Sequence, residues 1–311
     1  MEATGCPVRV NSQGQELARH GSVDFPIAIY QDIISRQSVP WHWHEELEAI
    51  VVTQGTALLG CGSQQLCLME GQGALINSGC LHGCWGGGEG MCRIESIVFH
   101  PRLVGGAADS VFFRRYLRPL LDTALPGGLV LSPEVSWQRE CIGWIRSVWQ
   151  NVNAGGFGYE FRVRQQLSQL LLLVQTHCAA NQPPDNQRLR NARRIKQMLQ
   201  YIHSHFAQDI TVADIAQSAA ISESECLRCF RATIHQTPKE YLRQYRIRQS
   251  AQLLSTTEEK ISAVAAECGF SDMSFFAKTF REYSGMTPSE YRAAQRQTKP
   301  GAALPESAET P

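Results

Sequence analysis

The chain has 311 residues, a hydrophobic fraction of 43% and no formal net charge at neutral pH. This length accommodates two domains, and the composition is that of a folded globular protein. The most apolar run, residues 170–174, is far shorter than the roughly 20 residues that cross a bilayer, and the first residues do not resemble a signal peptide. We therefore expect a cytoplasmic protein that makes no membrane contact.

The charges are distributed unevenly along the chain. Residues 1–187 contain 12 basic and 16 acidic side chains, whereas residues 188–299 contain 17 basic and 11 acidic ones. A basic segment suits a polyanionic partner because neutralising phosphates releases condensed counterions. The charge pattern therefore favours nucleic-acid binding by the C-terminal part.

Eleven cysteines in a chain of this length without a signal peptide predict reduced thiols rather than a disulfide scaffold. Five of them fall within residues 61–92, where no CxxC pair supports a structural zinc site. These five are Cys61, Cys67, Cys80, Cys84 and Cys92. The cluster leaves a redox or metal sensor open.

Short apolar segments punctuated by glycine characterise residues 25–100. The segments are 48–53, 57–59, 65–69, 74–77 and 93–100. Such closely spaced short strands predict an antiparallel sandwich or barrel.

From Pro133 the periodicity becomes helical, with a second helix predicted over residues 159–178 after the glycines of 155–158. Two helices this apolar need a partner surface, which is either the β domain or the same helices of a second chain. We expect them to form a homodimer.

The C-terminal segment contains an internal repeat. The matched pairs are 215–216 with 264–265 and 221–222 with 270–271, both 49 positions apart, and 237–238 with 287–288, 50 positions apart. Each copy is predicted to form a helix, a tight turn and a second helix, with small residues where the helices cross. A long helix over residues 238–254 joins the copies, which suits two major-groove segments about one turn, roughly 34 Å, apart.

Local signals place the turns of the repeat. In the first copy Ser222 with Glu225 resembles a capping box that opens the second helix. In the second copy Gly269 is predicted to supply the turn and Ser271 to cap the following helix. The pattern indicates two helix-turn-helix units, whose second helices enter the major groove of DNA.

Each recognition helix is predicted to bury one stripe and to expose another. Cys226 and Phe230 form the buried stripe of the first, and Phe276 and Phe280 that of the second. The side chains predicted to face DNA are Ser224, Glu225, Leu227, Arg228, Arg231, Met273, Ser274, Lys278 and Arg281, beside Phe275. Arginine can bind guanine through two hydrogen bonds, but Arg231 and Arg281 stand late in their helices, so contact with phosphate alone is left open.

Residues 194–294 resemble the DNA-binding domain of the AraC/XylS family of transcription regulators. The matching text is ITVADIAQSAAIS, TPKEYLRQYRIRQSAQLL and ISAVAAECGFSDMSFFAKTFREYSGMTPSEYR. Two departures are Cys226, where a larger apolar residue is usual, and Phe275, which is apolar on the groove-facing side. The resemblance implies binding to a double-stranded DNA operator and activation through contact with RNA polymerase.

Residues 40–90 resemble the cupin-like sensor domains that this family often carries. The HxHxxxE spacing is matched by His42, His44 and Glu48, and His82 matches part of the second cupin motif, from which Asn77 departs. The predicted effector pocket consists of Trp43, His42, His44, Glu48 and His82.

Residues of this kind could also bind a metal, since His42 and His44 alternate on a strand with Glu48 in phase. We favour a metal-free pocket that orients a small-molecule effector, and we expect no cofactor and no catalytic residue. A divalent metal at His42, His44, Glu48 and His82 is left open.

The predicted fold is α+β and multidomain. It combines an N-terminal cupin-like β-barrel and helical pair with a C-terminal all-α domain, in which a long helix joins two helix-turn-helix units. The predicted parts are an N-terminal arm (1–24), the effector domain (25–132), a helical dimerisation segment (133–180), a linker (181–190), the DNA-binding domain (191–296) and a disordered tail (297–311).

The favoured function is a transcription regulator, an activator controlled by a small molecule, and not an enzyme. One alternative is a cupin metalloenzyme fused to a DNA-binding domain. Another treats the N-terminal half as a dimerisation module without a ligand.

Overall fold

The computed structural model describes residues 8, 10–11, 15–34, 39–62, 64–88, 90–124, 128–178 and 186–297. Residues 181–185 of the predicted linker, residues 298–311 of the predicted tail and residues 1–7, 9 and 12–14 of the predicted arm lie outside the described residues. The chain divides into two compact units, Met1–Ser204 with Val212–Pro238 and His205–Thr211 with Lys239–Pro311.

Two antiparallel sheets dominate the first unit. The strands described are β1 (Ile27–Ile34), β2 (Val39–His42), β3 (Leu47–Gln54), β4 (Thr56–Cys61), β5 (Gln64–Met69), β6 (Gly73–Ile76), β7 (His82–Gly86), β8 (Cys92–Phe99) and β9 (Gly128–Leu131). One sheet has the order β1-β8-β3-β6-β9 and the other the order β2-β7-β4-β5. The five predicted strand segments correspond to β3, β4, β5, β6 and β8.

The alternation of side chains along β3 determines which of them point into the barrel. Leu47, Ala49 and Val51 belong to the apolar cluster shared with the helices, whereas Ile50 belongs to the cluster between the two sheets. Successive side chains on a strand point to opposite faces. Glu48 is therefore in phase with Ile50, and its carboxylate points into the barrel.

A pair of helices covers the outer face of the five-stranded sheet. After the short helix α1 (Arg102–Gly105) and two π-helical turns (Phe113–Leu117 and Leu120–Ala124), the chain forms α2 (Ser136–Ala154) and α3 (Tyr159–Cys178). Ile145 of α2 and Leu167 of α3 lie in the same buried cluster as Leu47 and Val51 of β3. The β domain is therefore one partner surface for these apolar helices.

The first unit also holds the first helix-turn-helix. It follows α4 (Asn186–His205) and consists of α5 (Val212–Ser218) and α6 (Glu223–Thr233). Ile215 and Ala216 are buried, and the turn ends with the amide of Ile221 donating to the carbonyl of Ala216 at 3.2 Å. Ser222 caps α6 by accepting from the amide of Glu225, as predicted.

The second unit contains α7 (Pro238–Thr256), α8 (Ile261–Glu267), α9 (Met273–Ser284) and α10 (Pro288–Gln297). Phe276 and Phe280 of α9 pack against Val264 and Ala265 of α8 in a fully buried cluster. One prediction is corrected here: Asp272, and not Ser271, caps α9, because its carboxylate accepts from the amide of Phe275 at 2.8 Å. The capping position lies one residue later than the sequence indicated.

These elements confirm the predicted fold class, an N-terminal domain of two antiparallel sheets with a helical pair and a C-terminal helical region with two helix-turn-helix units. Among the described residues, no helix combines the length and the apolar character that a membrane crossing requires.

We expect Gly269→Ala to destabilise the second unit by about 1 to 2 kcal/mol. Gly269 has a φ of 81°, and a Cβ atom there would lie 2.9 Å from the carbonyl oxygen of Ala207. Urea unfolding of the full chain, monitored by circular dichroism, measures the effect.

The first helix-turn-helix supplies a control for this substitution. Ala220 holds the equivalent turn position with a φ of 52°, so an alanine is tolerated there. Ala220→Gly should leave stability within about 1 kcal/mol of the parent protein, since relief of the left-handed strain opposes the greater backbone entropy of glycine. Equal unfolding midpoints for Gly269→Ala and the parent protein would contradict the argument.

Candidate nucleic-acid interface and buried histidine site

Helix α6 has one buried and one open face. Cys226 and Phe230 are completely buried, so the spacing of four residues predicted the buried stripe correctly. Of the side chains predicted to face DNA on this helix, Ser224, Arg228 and Arg231 are exposed, and Glu225 and Leu227 are half-buried. The open face therefore presents two arginines.

Glu225 of α6 is engaged by two arginines. Its Oε1 accepts from Nη1 of Arg194 at 2.6 Å, and Nη2 of Arg228 lies 3.4 Å from the same oxygen. Arg194 belongs to α4, so this ion pair ties the recognition helix to the helix that precedes the motif. Sequence reasoning missed Arg194, because nothing in the spacing between residues 194 and 225 indicates a contact.

Helix α9 repeats this arrangement in the second unit. Phe276 and Phe280 are completely buried. The four predicted DNA-facing side chains Met273, Ser274, Lys278 and Arg281 are all exposed, and Phe275 is exposed beside them. An open face with two cations, one hydroxyl group and two apolar side chains can contact phosphates, base edges and thymine methyl groups.

The four polar residues of the cupin-like motif meet inside the barrel. His42 ends β2, His44 lies in the following loop, Glu48 is on β3 and His82 begins β7. All four are buried, and one potential ligand atom from each lies within 4.8 Å of the others. Trp43, the fifth predicted pocket residue, points elsewhere and is half-buried.

Backbone carbonyl groups fix the orientation of the three imidazoles. Nδ1 of His42 lies 2.8 Å from the carbonyl oxygen of Pro40, and Nδ1 of His82 lies 2.9 Å from that of Cys80. Nδ1 of His44 lies 3.2 Å from the carbonyl oxygen of Glu46. A carbonyl oxygen only accepts, so each Nδ1 carries a proton and each Nε2 is the atom directed at the cluster.

The Nε2 atoms surround the carboxylate of Glu48. Nε2 of His82 lies 2.9 Å and Nε2 of His44 lies 3.4 Å from Oε2 of Glu48. The latter nitrogen is buried and makes no hydrogen bond to any described residue. Buried polar atoms are nearly always hydrogen-bonded in native proteins, so this nitrogen is a candidate ligand atom.

The charges inside the cluster are strongly coupled. Burial opposes ionisation of Glu48, but the imidazoles of His44 and His82 hold the pKa of that carboxyl group well below its ordinary value. Burial likewise opposes the charge of His82, yet Glu48 raises the pKa of that imidazole. Burial and the neighbouring His82 lower the pKa of His42 to about 3, so His42 is neutral.

A second carboxylate and a fourth imidazole adjoin this cluster. Oε2 of Glu16 lies 3.2 Å from Nε2 of His20 and 3.6 Å from Nε2 of His42. Both residues come from the predicted arm, and both are buried. Sequence reasoning missed them, although the spacing of four residues between a glutamate and a histidine was a visible signal.

The polar residues nearly fill the interior of the barrel. The cavity that they line, together with Tyr30, Ile50 and Leu59, measures about 20 Å³. A buried water needs roughly 10 to 15 Å³ by this measure. The space therefore suits one ion or one water molecule.

Lys196 of α4 reaches the barrel near this site. Its Nζ donates to the carbonyl oxygen of Gly79 at 2.6 Å and lies 4.0 Å from the ring centroid of Trp43. Burial lowers the pKa of this ammonium group. Trp43 therefore contacts Lys196 of α4. The same helix carries Arg194, which binds Glu225 of α6.

Comparison with known proteins identifies both parts of the chain. Residues 26–136 match the family model of the AraC-like ligand binding domain, and residues 215–294 match that of a helix-turn-helix domain. The chain belongs to the AraC family of transcriptional regulators. As an AraC-type regulator it has a DNA-binding region and an N-terminal ligand-binding domain, which confirms the predicted function class.

Relatives match this chain over most or part of its length. The HTH-type transcriptional regulator YdeC of Bacillus subtilis is 29% identical over 285 residues, which are 89% of this chain and 95% of YdeC. The melibiose operon regulatory protein of Escherichia coli K12 is 34% identical over 34% of this chain and 36% of its own length. An HTH-type regulator of Staphylococcus aureus MSSA476 is 30% identical over 41% of this chain, which spans only 17% of that relative. Fatty-acid-bound ToxT of Vibrio cholerae aligns with a TM-score of 0.43 and 14% identity over 86% of this chain and 94% of its own.

Proposed function

We propose that this AraC-type regulator binds a specific operator through the open faces of α6 and α9, and that occupation of the barrel controls this binding. The observation that carries the proposal is the pair of capped recognition helices, each with one buried face and two exposed cations on the other. An effector acts by preferring one of two arrangements of the protein, since a ligand shifts an equilibrium only through its differential affinity.

Capture of genomic DNA fragments by the purified full-length protein tests the proposal. Two recognition helices per chain predict one recovered motif with two separate conserved segments. Affinity for the recovered site should exceed affinity for random DNA by about 10³-fold or more at physiological salt. Recovery of fragments without a common motif would refute specific binding.

For the barrel we propose a single divalent transition-metal ion as the ligand. Three imidazoles with fixed Nδ1 donors and one carboxylate are a donor set suited to zinc, copper, nickel or iron, and ligating histidines commonly bond their second nitrogen to a backbone carbonyl. Nε2 of His44 is buried without a hydrogen-bond partner among the described residues, and such an ion would engage it. A bound ion would hold the four ligands together by its charge.

The small cavity favours a metal ion over the two alternatives that place an organic molecule in the barrel. These are a small organic effector and the substrate of a metalloenzyme. A small organic effector among these side chains would have to displace several of them, because only about 20 Å³ is open. The same shortage of space argues against a cupin metalloenzyme, which needs room for a substrate beside its metal. We therefore propose a regulator without catalytic activity, and absence of turnover in the metal-loaded protein over a panel of small carboxylates and phenols would support it.

We further propose that the regulator forms a homodimer through the open face of α3 and the adjoining π-helical turns. A groove of about 540 Å³ runs along this face. Phe112 is 57%, Phe161 81% and Leu172 49% exposed, and all three line the groove. Large exposed apolar patches mark interaction sites, and a second copy of the same helix offers the matching apolar surface.

Phe161→Glu should weaken the dimer by about 100-fold or more, because burying one aromatic side chain contributes about 1.5 to 3 kcal/mol and a twofold interface contains each residue twice. Sedimentation velocity across a concentration series measures the dissociation constant. Phe157→Glu is the matched control, since Phe157 is fully exposed but does not line the groove. A dimer that survives Phe161→Glu unchanged would place the interface elsewhere.

Activation through contact with RNA polymerase and a cytoplasmic location complete the proposal. The relatives are transcription regulators, which supports action on transcription where the genomic DNA lies. Transcription reconstituted with RNA polymerase and a promoter carrying the recovered operator tests activation, and a fall in transcript on adding the regulator would indicate repression.

A further inference from the structure

Two thiol groups lie next to each other at the edge of the barrel. Sγ of Cys61 and Sγ of Cys80 are 3.6 Å apart, and both residues are in the thiol form. Cys61 is completely buried, whereas Cys80 is partly exposed. A disulfide bond requires a separation of about 2.05 Å, so the sulfurs must approach each other by about 1.5 Å.

The two cysteines differ in how firmly the backbone holds them. Cys61 ends β4 and pairs with Gln64 of β5 on one side and with His82 of β7 on the other. Cys80 lies in the turn before β7, where its amide donates to the carbonyl of Asn77 at 3.1 Å. Closure of a bond would therefore move the turn rather than the sheet.

This turn is also the point where α4 contacts the barrel. Gly79, the residue before Cys80, accepts the hydrogen bond from Lys196 at 2.6 Å. Two residues earlier on α4, Arg194 holds Glu225 of the recognition helix α6. One helix within the first unit thus joins the thiol-bearing turn to the open face of α6.

We propose that Cys61 and Cys80 form a reversible disulfide under peroxide and that the movement of the turn releases Lys196 and changes the operator affinity. The Cys80 sulfur attacks one peroxide oxygen, the O–O bond breaks, and a sulfenic acid and one water result. The Cys61 sulfur then attacks Cys80 and expels the second oxygen as water. Two thiols and one peroxide become one disulfide and two waters, so the thiols are oxidised and the peroxide is reduced.

The first experiment tests the bond itself on the full-length protein. The protein is treated with hydrogen peroxide in a chelating buffer, and its thiols are then mapped by differential alkylation and mass spectrometry. We expect one Cys61–Cys80 disulfide that dithiothreitol reverses. Cys80→Ser should abolish it, and Cys67→Ser, which alters an exposed cysteine of the same domain, should not. No disulfide, or a different pairing, would overturn the site.

The second experiment tests the coupling, which rests on the proposed operator contacts of α6. Operator affinity should differ by about 5-fold or more between the reduced and oxidised protein, the lower range of allosteric coupling. Lys196→Met in the reduced state should shift the affinity in the same direction as oxidation. A disulfide that forms without changing the affinity would overturn the coupling alone. Loss of operator binding by the reduced parent protein would instead count against the proposed function.

Discussion

Metal binding by the barrel is expected to fall by about 100-fold or more in His82→Ala, because even groups that only orient a ligand contribute 10- to 100-fold to metal affinity. His82 contributes an Nε2 that already lies 2.9 Å from Glu48, and its Nδ1 is held by a backbone carbonyl. Metal-free protein should take up one Co²⁺ or Zn²⁺ ion per chain, measured by calorimetry and, for Co²⁺, by its visible absorption.

Three further variants make the metal experiment specific. His100→Ala alters a histidine of the same domain outside the cluster and should bind metal like the parent protein. Cys80→Ser should also retain the ion, since the proposed ligands do not include that thiol. Glu16→Gln should weaken metal binding less than His82→Ala. The carboxylate of Glu16 lies 3.6 Å from Nε2 of His42 but is not one of the four proposed ligands.

Stability gives a second measurement of the same site. A ligand that binds only the native state at 100 times its dissociation constant stabilises it by about 2.7 kcal/mol. The midpoint of thermal unfolding should therefore rise with Zn²⁺ in the parent protein and stay unchanged in His82→Ala. If the parent protein takes up no metal, the organic effector predicted from the sequence becomes the better hypothesis for the barrel.

The sequence predicted the helical half well because its signals are local. Repetition of the motif with offsets of 49 and 50 residues located both helix-turn-helix units, and the stripes of Cys226 with Phe230 and Phe276 with Phe280 identified the buried faces. The cap of α9 was misplaced because Ser271 and Asp272 are adjacent acceptors, and backbone geometry alone decides which one is used. That the open faces contact DNA stays a prediction.

The barrel site was harder to predict because its decisive features are not local. The spacing of His42, His44 and Glu48 indicated a cluster, and the structure places these residues with His82 inside the barrel. Glu16 reaches the cluster only because the chain near residues 15–16 pairs with Trp43, a contact between distant segments. Cavity volume depends on how all of these side chains pack, so no pattern in the sequence could indicate that the site is nearly full.

Specific DNA binding should decrease by about 30-fold to 10⁴-fold in the double variant Arg228→Ala, Lys278→Ala, since a good base contact discriminates by about 1 to 3 kcal/mol and each helix loses one. Arg228 is open to a partner: its side chain is 73% exposed, and its ion pair with Glu225 at 3.4 Å is a weak surface interaction. Lys278 is exposed on α9. Fluorescence anisotropy with the recovered operator and with random DNA measures both affinities.

The comparison of the two DNAs separates base contacts from phosphate contacts. Loss of base contacts lowers the affinity for the operator and leaves that for random DNA nearly unchanged, whereas loss of phosphate contacts weakens both and reduces the salt dependence by about one ion per contact. Arg231→Ala and Arg281→Ala, late in their helices, should show the second behaviour. The double variant Arg139→Ala, Arg146→Ala removes the same charge from α2 and should change neither affinity. If the Arg228 and Lys278 variant binds the operator like the parent protein, α6 and α9 do not read its bases, and specificity must arise from DNA shape or from other residues.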